Sequence, residues 1–334
     1  MIMRRYVWEW LVLLVVSVAG LGTGVAVDMT AANQQEGTER TEVESKSITS
    51  PVQENRFGLV PNDPEHDNGP ILAKALMAGR RVELAPGTYW TSEVKLSGRK
   101  PWHLVGRGIG CNLRRPADAV VLRAMPGTKT ILSVRDVASG CRIERLALED
   151  NASLPAEKRA DGIVIRGCES WRIADCTFSG LGTGLAVINT PGPDGAPGKR
   201  IWSLALRGCF AKQCEVGFSL NGRGKGTMGC VAMTDCLTEL TPVSLTVESW
   251  RRGLSIRNYA AHRGLIVLKR SRVLVDGMYA ELVADDPRAY PIRLKRTEYS
   301  FRGVLGKVRI EDSVACDGNQ LGVYRPPRSL IPSE

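Results

Sequence analysis

Residues able to do chemistry are sparse in this 334-residue chain, which has three histidines and so excludes a mechanism resting on several imidazoles. His262, in Ala261-His-Arg-Gly, reads either as a general base or as an ordinary loop histidine. Arg166 stands in one strand-like segment and Arg293 and Lys295 at alternate positions of another, while Asp161 precedes the first and Glu248 ends a third. Two carboxyl groups about 5 to 9.5 Å apart hydrolyse a glycosidic bond. Removing the proton α to a uronate carboxylate instead takes a base and a cation, Ca2+ or Arg, to neutralise the carboxylate. Asp161, Glu248 and His262 are therefore the candidate acid–base residues, and Arg166, Arg293 and Lys295 the candidate substrate-binding residues. Asp161 or Glu248 would hold Ca2+ if the protein is a lyase; otherwise the sequence assigns no metal site and no cofactor. Outer-face charges also serve solubility alone, and that plainer reading stands beside each of these.

Other motifs give less. Asp285-Asp286 could suit calcium, but Pro287 follows and makes a turn of it. Gly106-Arg-Gly-Ile-Gly110 and Gly222-Arg-Gly-Lys-Gly226 lack the strand–loop–helix context of a phosphate cradle. Asn151-Ala-Ser153 is a glycosylation sequon.

The elements that must position these residues begin after a leader. Tyr6–Val27 carries Glu9 as its only charge and follows a basic head containing Arg4 and Arg5. It reads as a signal peptide, with cleavage near Ala19, Ala26 or Ala32, or as a membrane anchor of barely sufficient length. Either way the rest of the chain is expected outside the cytoplasm: extracellular, periplasmic or anchored. Residues 28–55 form an acidic, disordered linker. Of the formal +10 charge, residues 1–27 carry +1 and 28–55 carry −4, so the body from Arg56 onward carries +13. Such a body suits an acidic polysaccharide or cell-surface glycan. Nucleic acid is not expected, since an aromatic-basic platform is missing.

The body repeats. Aligned on one small or polar position, Arg145, Asp175, Gly208, Asp235, Asn258, Gly277 and Asp312 recur at spacings of 30, 33, 27, 23, 19 and 35 residues. Apolar or small residues stand four and two before it and one and three after it, with polar residues between. Two strands with one face inward, joined by a one-residue corner, produce that pattern. A third strand begins at Gly162, Gly184, Gly217, Val243, Gly264 and Pro291, with Val164, Arg166, Ala186, Ile188, Ser219, Asn221, Ile266, Leu268, Arg293 and Lys295 outward. Three strands per irregular repeat describe an all-β chain, a right-handed single-stranded parallel β-helix, or solenoid. Cys176, Cys209 and Cys236 share one inward position and read as a packed column rather than a redox or metal site. Nine cysteines leave at least one unpaired within a monomer, and the pairing, if any, is open.

One stretch is more specific. Arg80-Arg-Val-Glu-Leu-Ala-Pro-Gly-Thr-Tyr, followed by Trp102-His-Leu-Val-Gly-Arg-Gly, resembles the opening of the pectin lyase-like superfamily. The resemblance implies an entry strand near Phe57–Asp63 and a short N-terminal capping helix over Pro70–Ala78, and it places the β-helix over 56–315 with a C-terminal tail over 316–334. It also implies that a sugar chain lies on an outer sheet face, as in superfamily members that act on polysaccharides. The clustered Asp, His-Gly and Arg-Ile-Lys pattern of polygalacturonases is absent. Asp63-Pro-Glu-His-Asp67 is similar to an alginate epimerase signature but has Glu65 inserted and lies in the entry segment. The sequence therefore supports an exported or membrane-anchored β-helix protein that binds an acidic polysaccharide and either cleaves or modifies it, as a lyase or glycoside hydrolase, or serves as a non-catalytic glycan-binding or envelope module.

Overall fold

A coil closes when the chain turns through about 120° at each of three corners without leaving backbone groups unpaired. The computed structural model describes residues 52–53, 57–98, 100–107, 119–137, 139–189, 201–222, 229–251, 253–281, 290–317 and 320–324. These lie in one unit, Ser47–Glu334. The segment Tyr6–Val27, the linker before Val52 and the pair Asp285-Asp286 lie outside the described residues. Among the described residues no helix is long and apolar enough to cross a membrane.

Strands pair in three sheets. The first contains Val94–Gly98, Thr130–Val137, residues 161–168, Thr183–Ile188, Val216–Asn221, Val243–Glu248, Leu265–Lys269, Ile292–Lys295 and Val308–Glu311. The second runs from Val52–Gln53 through Arg81–Leu84, His103–Gly106 and Arg142–Glu144 to residues 298–302. The third runs from Gly87–Thr91 through Val120–Ala124 and Ala147–Glu149 to residues 304–305. All of these pairs are parallel, and an antiparallel strand, Gln320–Tyr324, follows on Val314–Asp317. This is the all-β solenoid that the repeat predicts.

The repeated corner is left-handed at Arg145, Asp175, Gly208, Asp235, Asn258 and Gly277, with φ between 50° and 76°. Asx and Gly tolerate that region best, and Asn258 Nδ2 also donates to Asp235 Oδ1 on the preceding coil at 3.0 Å. Asp312 is different. It follows a first-sheet strand and stands with Ser249, Arg270 and Arg296 at another left-handed corner, while the true successor of Gly277 is Gly303, φ 57°. The third corner is left-handed too, at Gly180, Gln213, Leu240 and Arg263. Alternation resumes with the same parity after either kind of corner, so composition alone phases the last coil wrongly.

A second difference concerns Ile266 and Leu268. A bulge between Val243 and Leu245 sets Leu245 opposite Ile266, so Ile266 and Leu268 are fully buried and Val267 and Lys269 face outward. Counting from Gly264 misses a slip made on the neighbouring coil.

The interior is continuous from Leu59 to Tyr299. Cys176, Cys209 and Cys236 are buried in one column, followed by Tyr259 and Met278. Each of the three thiols donates to the carbonyl two residues back, Ala174, Arg207 and Thr234, at 3.3 to 3.5 Å. Cysteine thus fills the core like a small apolar residue while satisfying a carbonyl at the corner. Helix α1, Gly69–Met77, buries Leu72, Ala75 and Leu76 over the N-terminal end. Leaving its two leucines exposed would forgo about 1.5–3 kcal/mol each.

Candidate functional site

Outward side chains on the first sheet stand in two columns, because alternation puts every second residue on that face and register stacks them about 4.8 Å apart. One column reads Lys95, Ser133, Val164, Ala186, Ser219, Thr246, Val267, Arg293 and Arg309. The other reads Ser97, Arg135, Arg166, Ile188, Asn221, Glu248, Lys269, Lys295 and Glu311.

At the N-terminal end these columns line an open groove of about 570 Å³ formed by Glu93, Lys95, Ser97, Ser133, Arg135 and Arg166 with Leu96 below. Glu93 pairs with Lys95 at 3.6 Å. Arg135 and Arg166 are register partners, and among the described residues no carboxylate pairs with either. Arg135 and Arg166, in register on adjacent coils, both line this open groove, and a guanidinium group has the planar fork that takes two oxygens of a carboxylate or sulfate.

The C-terminal end is different. Lys295 is five coils from Arg166, about 24 Å along the stack. Its ammonium lies 3.3 Å from Glu311, which also takes Arg309 at 3.0 Å. Glu248 sits opposite Asn221 and Lys269 and pairs with Lys269 at 3.6 Å. Arg293 lies between Val267 and Arg309. Asp161 heads its strand, and its Oδ1 accepts the Thr183 N–H of the next coil at 2.8 Å. Asp161 and Glu248 are three coils apart and at opposite ends of their strands, so the structure does not bring them together. Among the described residues no three His, Cys, Asp or Glu side chains group as metal ligands.

His262 is on the third sheet, away from all of these. It occupies a column that reads Trp90, Arg123, Glu149, Ser179, Lys212, Glu239, His262 and Glu281. His262 Nδ1 lies 3.2 Å from Glu281 Oε1, and the Tyr279 hydroxyl donates to Glu281 Oε2 at 2.5 Å. The Tyr279 bond holds the Glu281 carboxyl below the usual carboxylate range against the effect of burial, with His262 and Arg263 adding to it. The same bond pushes the Tyr279 hydroxyl up. Lys212 and Glu239 pair at 3.5 Å on the two coils before.

The entry motif is structural. Asp67 Oδ1 accepts the N–H groups of Ser92 and Gly69 at 2.8 and 2.9 Å. Burial alone would raise its pKa, but the Ser92 hydroxyl first, then those two N–H bonds and His66, outweigh it and hold it low.

Sequence reasoning missed Lys95, Arg135, Tyr279 and Glu281. Arg135 was legible in the alternation of Thr130-Ile-Leu-Ser-Val-Arg, one coil before the repeat becomes obvious. Glu281 stands four after Gly277 as His262 stands four after Asn258, so corner phasing carried that signal too.

No protein-family model and no curated protein matches this chain. Among solved structures, the chain is similar to the A-module of the mannuronan C-5 epimerase AlgE6 of Azotobacter vinelandii, at 16% identity and a TM-score of 0.58 over 78% of this chain and 73% of that one. It is also similar to the gp42 tailspike of Acinetobacter phage vb_AbaP_AS12, at 12% identity and a TM-score of 0.53 over 80% of this chain. The chain spans 56% of that tailspike. Likeness at these identities is one of fold, and it shows a right-handed parallel β-helix.

Proposed function

We propose that this protein binds an acidic polysaccharide along the first sheet, with the sugar chain crossing the coils from Lys95 to Arg166, and that it does so outside the cytoplasm. The stack of Arg135 on Arg166, which no carboxylate among the described residues compensates, carries the reading. Two arginines in register on adjacent coils set like charges beside one another, an arrangement that an anion lying across them relieves, and a polyuronate brings carboxylates at a regular interval. The +13 body charge agrees with it. So does the fold shared with a protein named as a mannuronan epimerase. Export rests on the basic head and apolar Tyr6–Val27 segment.

Binding without cleavage is the form that the first sheet favours. Of its carboxylates, Glu93, Glu248 and Glu311 are each paired with a lysine, and Asp161 accepts the Thr183 N–H. The test is titration with polygalacturonate, alginate, hyaluronan and neutral dextran at two salt concentrations, with unsaturated-uronate absorbance and reducing ends followed in parallel. Salt-sensitive binding to the polyuronates, lost in an Arg135→Gln/Arg166→Gln double variant and retained in Arg293→Gln, is the expected result. Equal binding by the double variant would sink this site, and product formation would restore the lyase or hydrolase reading. A reporter fused after residue 55 and assayed for activity outside the cytoplasm tests export.

A further inference from the structure

A second surface, on the third sheet, has the opposite chemistry. Leu237, Ala260, Tyr279 and Leu305 are register partners on four successive coils. Tyr279 is 38% exposed and Leu305 65%, so the stripe opens toward the C-terminal coils. Beside it runs the polar row Glu239, His262 and Glu281. Glu281 ties down both the Tyr279 hydroxyl and His262 Nδ1, and the two rings lie against each other at 5.3 Å between centroids. The platform is thus preorganised, with the Tyr279 and His262 side chains both partly exposed and His262 Nε2 without a partner among the described residues.

From this juxtaposition we propose that the third sheet holds a second saccharide site, centred on Tyr279 and His262, for uncharged pyranose residues. The stripe is one residue wide. A protein partner needs roughly 800 Å² on each side, whereas a sugar chain needs a narrow apolar strip for its C–H faces and a row of polar atoms for its hydroxyls. Tyr279 and Leu305 supply the strip, and His262 Nε2 and the remaining lone pairs of Glu281 supply acceptors, with the Lys212–Glu239 pair on the coils before. The Glu281 carboxylate at the centre of the platform disfavours a uronate, so this ligand differs from that of the Arg135–Arg166 groove and the site stands independently of that reading.

The test is titration of the protein with neutral cello-, laminari-, malto- and chito-oligosaccharides, and separately with oligogalacturonate, by calorimetry and by backbone chemical shifts. A neutral oligosaccharide from this panel should bind with little salt dependence and perturb Ala260, Tyr279 and Leu305. Tyr279→Ala should weaken it by about tenfold, the scale of one aromatic contact, and Tyr279→Phe by less. Arg135→Gln/Arg166→Gln should leave it unchanged while losing oligogalacturonate. The proposal is overturned if no neutral member of the panel shifts third-sheet resonances of the unmodified protein, if folded Tyr279→Ala binds as well, or if oligogalacturonate binds there instead.

Discussion

Arg135 and Arg166 are register partners on adjacent coils and line one groove, in which Glu93, the one carboxylate among the described lining residues, is already paired with Lys95. Like charges directly opposite one another destabilise a sheet by up to about 1 kcal/mol. Arg166→Gln should therefore raise the stability of the unliganded protein by a few tenths of a kcal/mol at low ionic strength, with the gain gone at about 1 M salt, where screening falls to a few ångströms. Chemical denaturation of both proteins at the two salt concentrations checks it. A loss of stability at low salt would mean that Arg166 has a stabilising partner.

Asp161 shows how a carboxylate in a plausible place can serve the fold. Because it accepts the Thr183 N–H, Asp161→Ala leaves a half-buried donor unpaired and should cost about 1–3 kcal/mol. Asp161→Asn, which keeps an acceptor oxygen, should cost less. Polysaccharide affinity should not change in either variant, provided it is measured well below the unfolding temperature.

Glycines that open the first-sheet strands are there for space. A Cβ on Gly184 would stand 2.7 Å from the Gly217 carbonyl oxygen and 3.0 Å from Phe178 Cβ. One on Gly217 would meet the Ser244 carbonyl oxygen at 2.6 Å. Gly184→Ala should thus destabilise by about 1–3 kcal/mol as the next coil is forced away. Ala186→Gly, on the outward face of the same strand, should cost less in the same denaturation experiment.

Burial pushes the Cys141 thiol up to about 11 and the Cys168 and Cys214 thiols up to about 12. A group raised in the folded state contributes stability below its unfolded value, near 9, and loses it as pH climbs toward the folded value. Stability should accordingly fall between about pH 9 and 12 beyond what lysine and tyrosine ionisation explains, and a Cys168→Ala/Cys214→Ala variant should show a shallower fall. At pH 8 a thiol reagent should modify Cys230 and Cys316, which are accessible, well before Cys141, Cys168 or Cys214. Equal labelling of all five in folded protein would contradict the packing.

What the sequence determined by itself was everything that depends on the two-residue period of a strand and on residues that tolerate a left-handed corner. Arg145 to Gly277 phase the second and third sheets, and the alternation around them marks Cys176, Cys209 and Cys236 as interior and Arg166, Arg293 and Lys295 as outward. Those are local properties, set within a few residues by backbone sterics. The tertiary structure decided which outward residues become neighbours, because stacking depends on loop lengths and on slips made one coil away. The Val243/Leu245 bulge turned Ile266 and Leu268 inward. Register set Arg166 on Arg135 and five coils from Lys295, and it placed Glu281 beside His262, nineteen residues on in the chain. Charge type can be read from a strand, but charge pairing belongs to the stack.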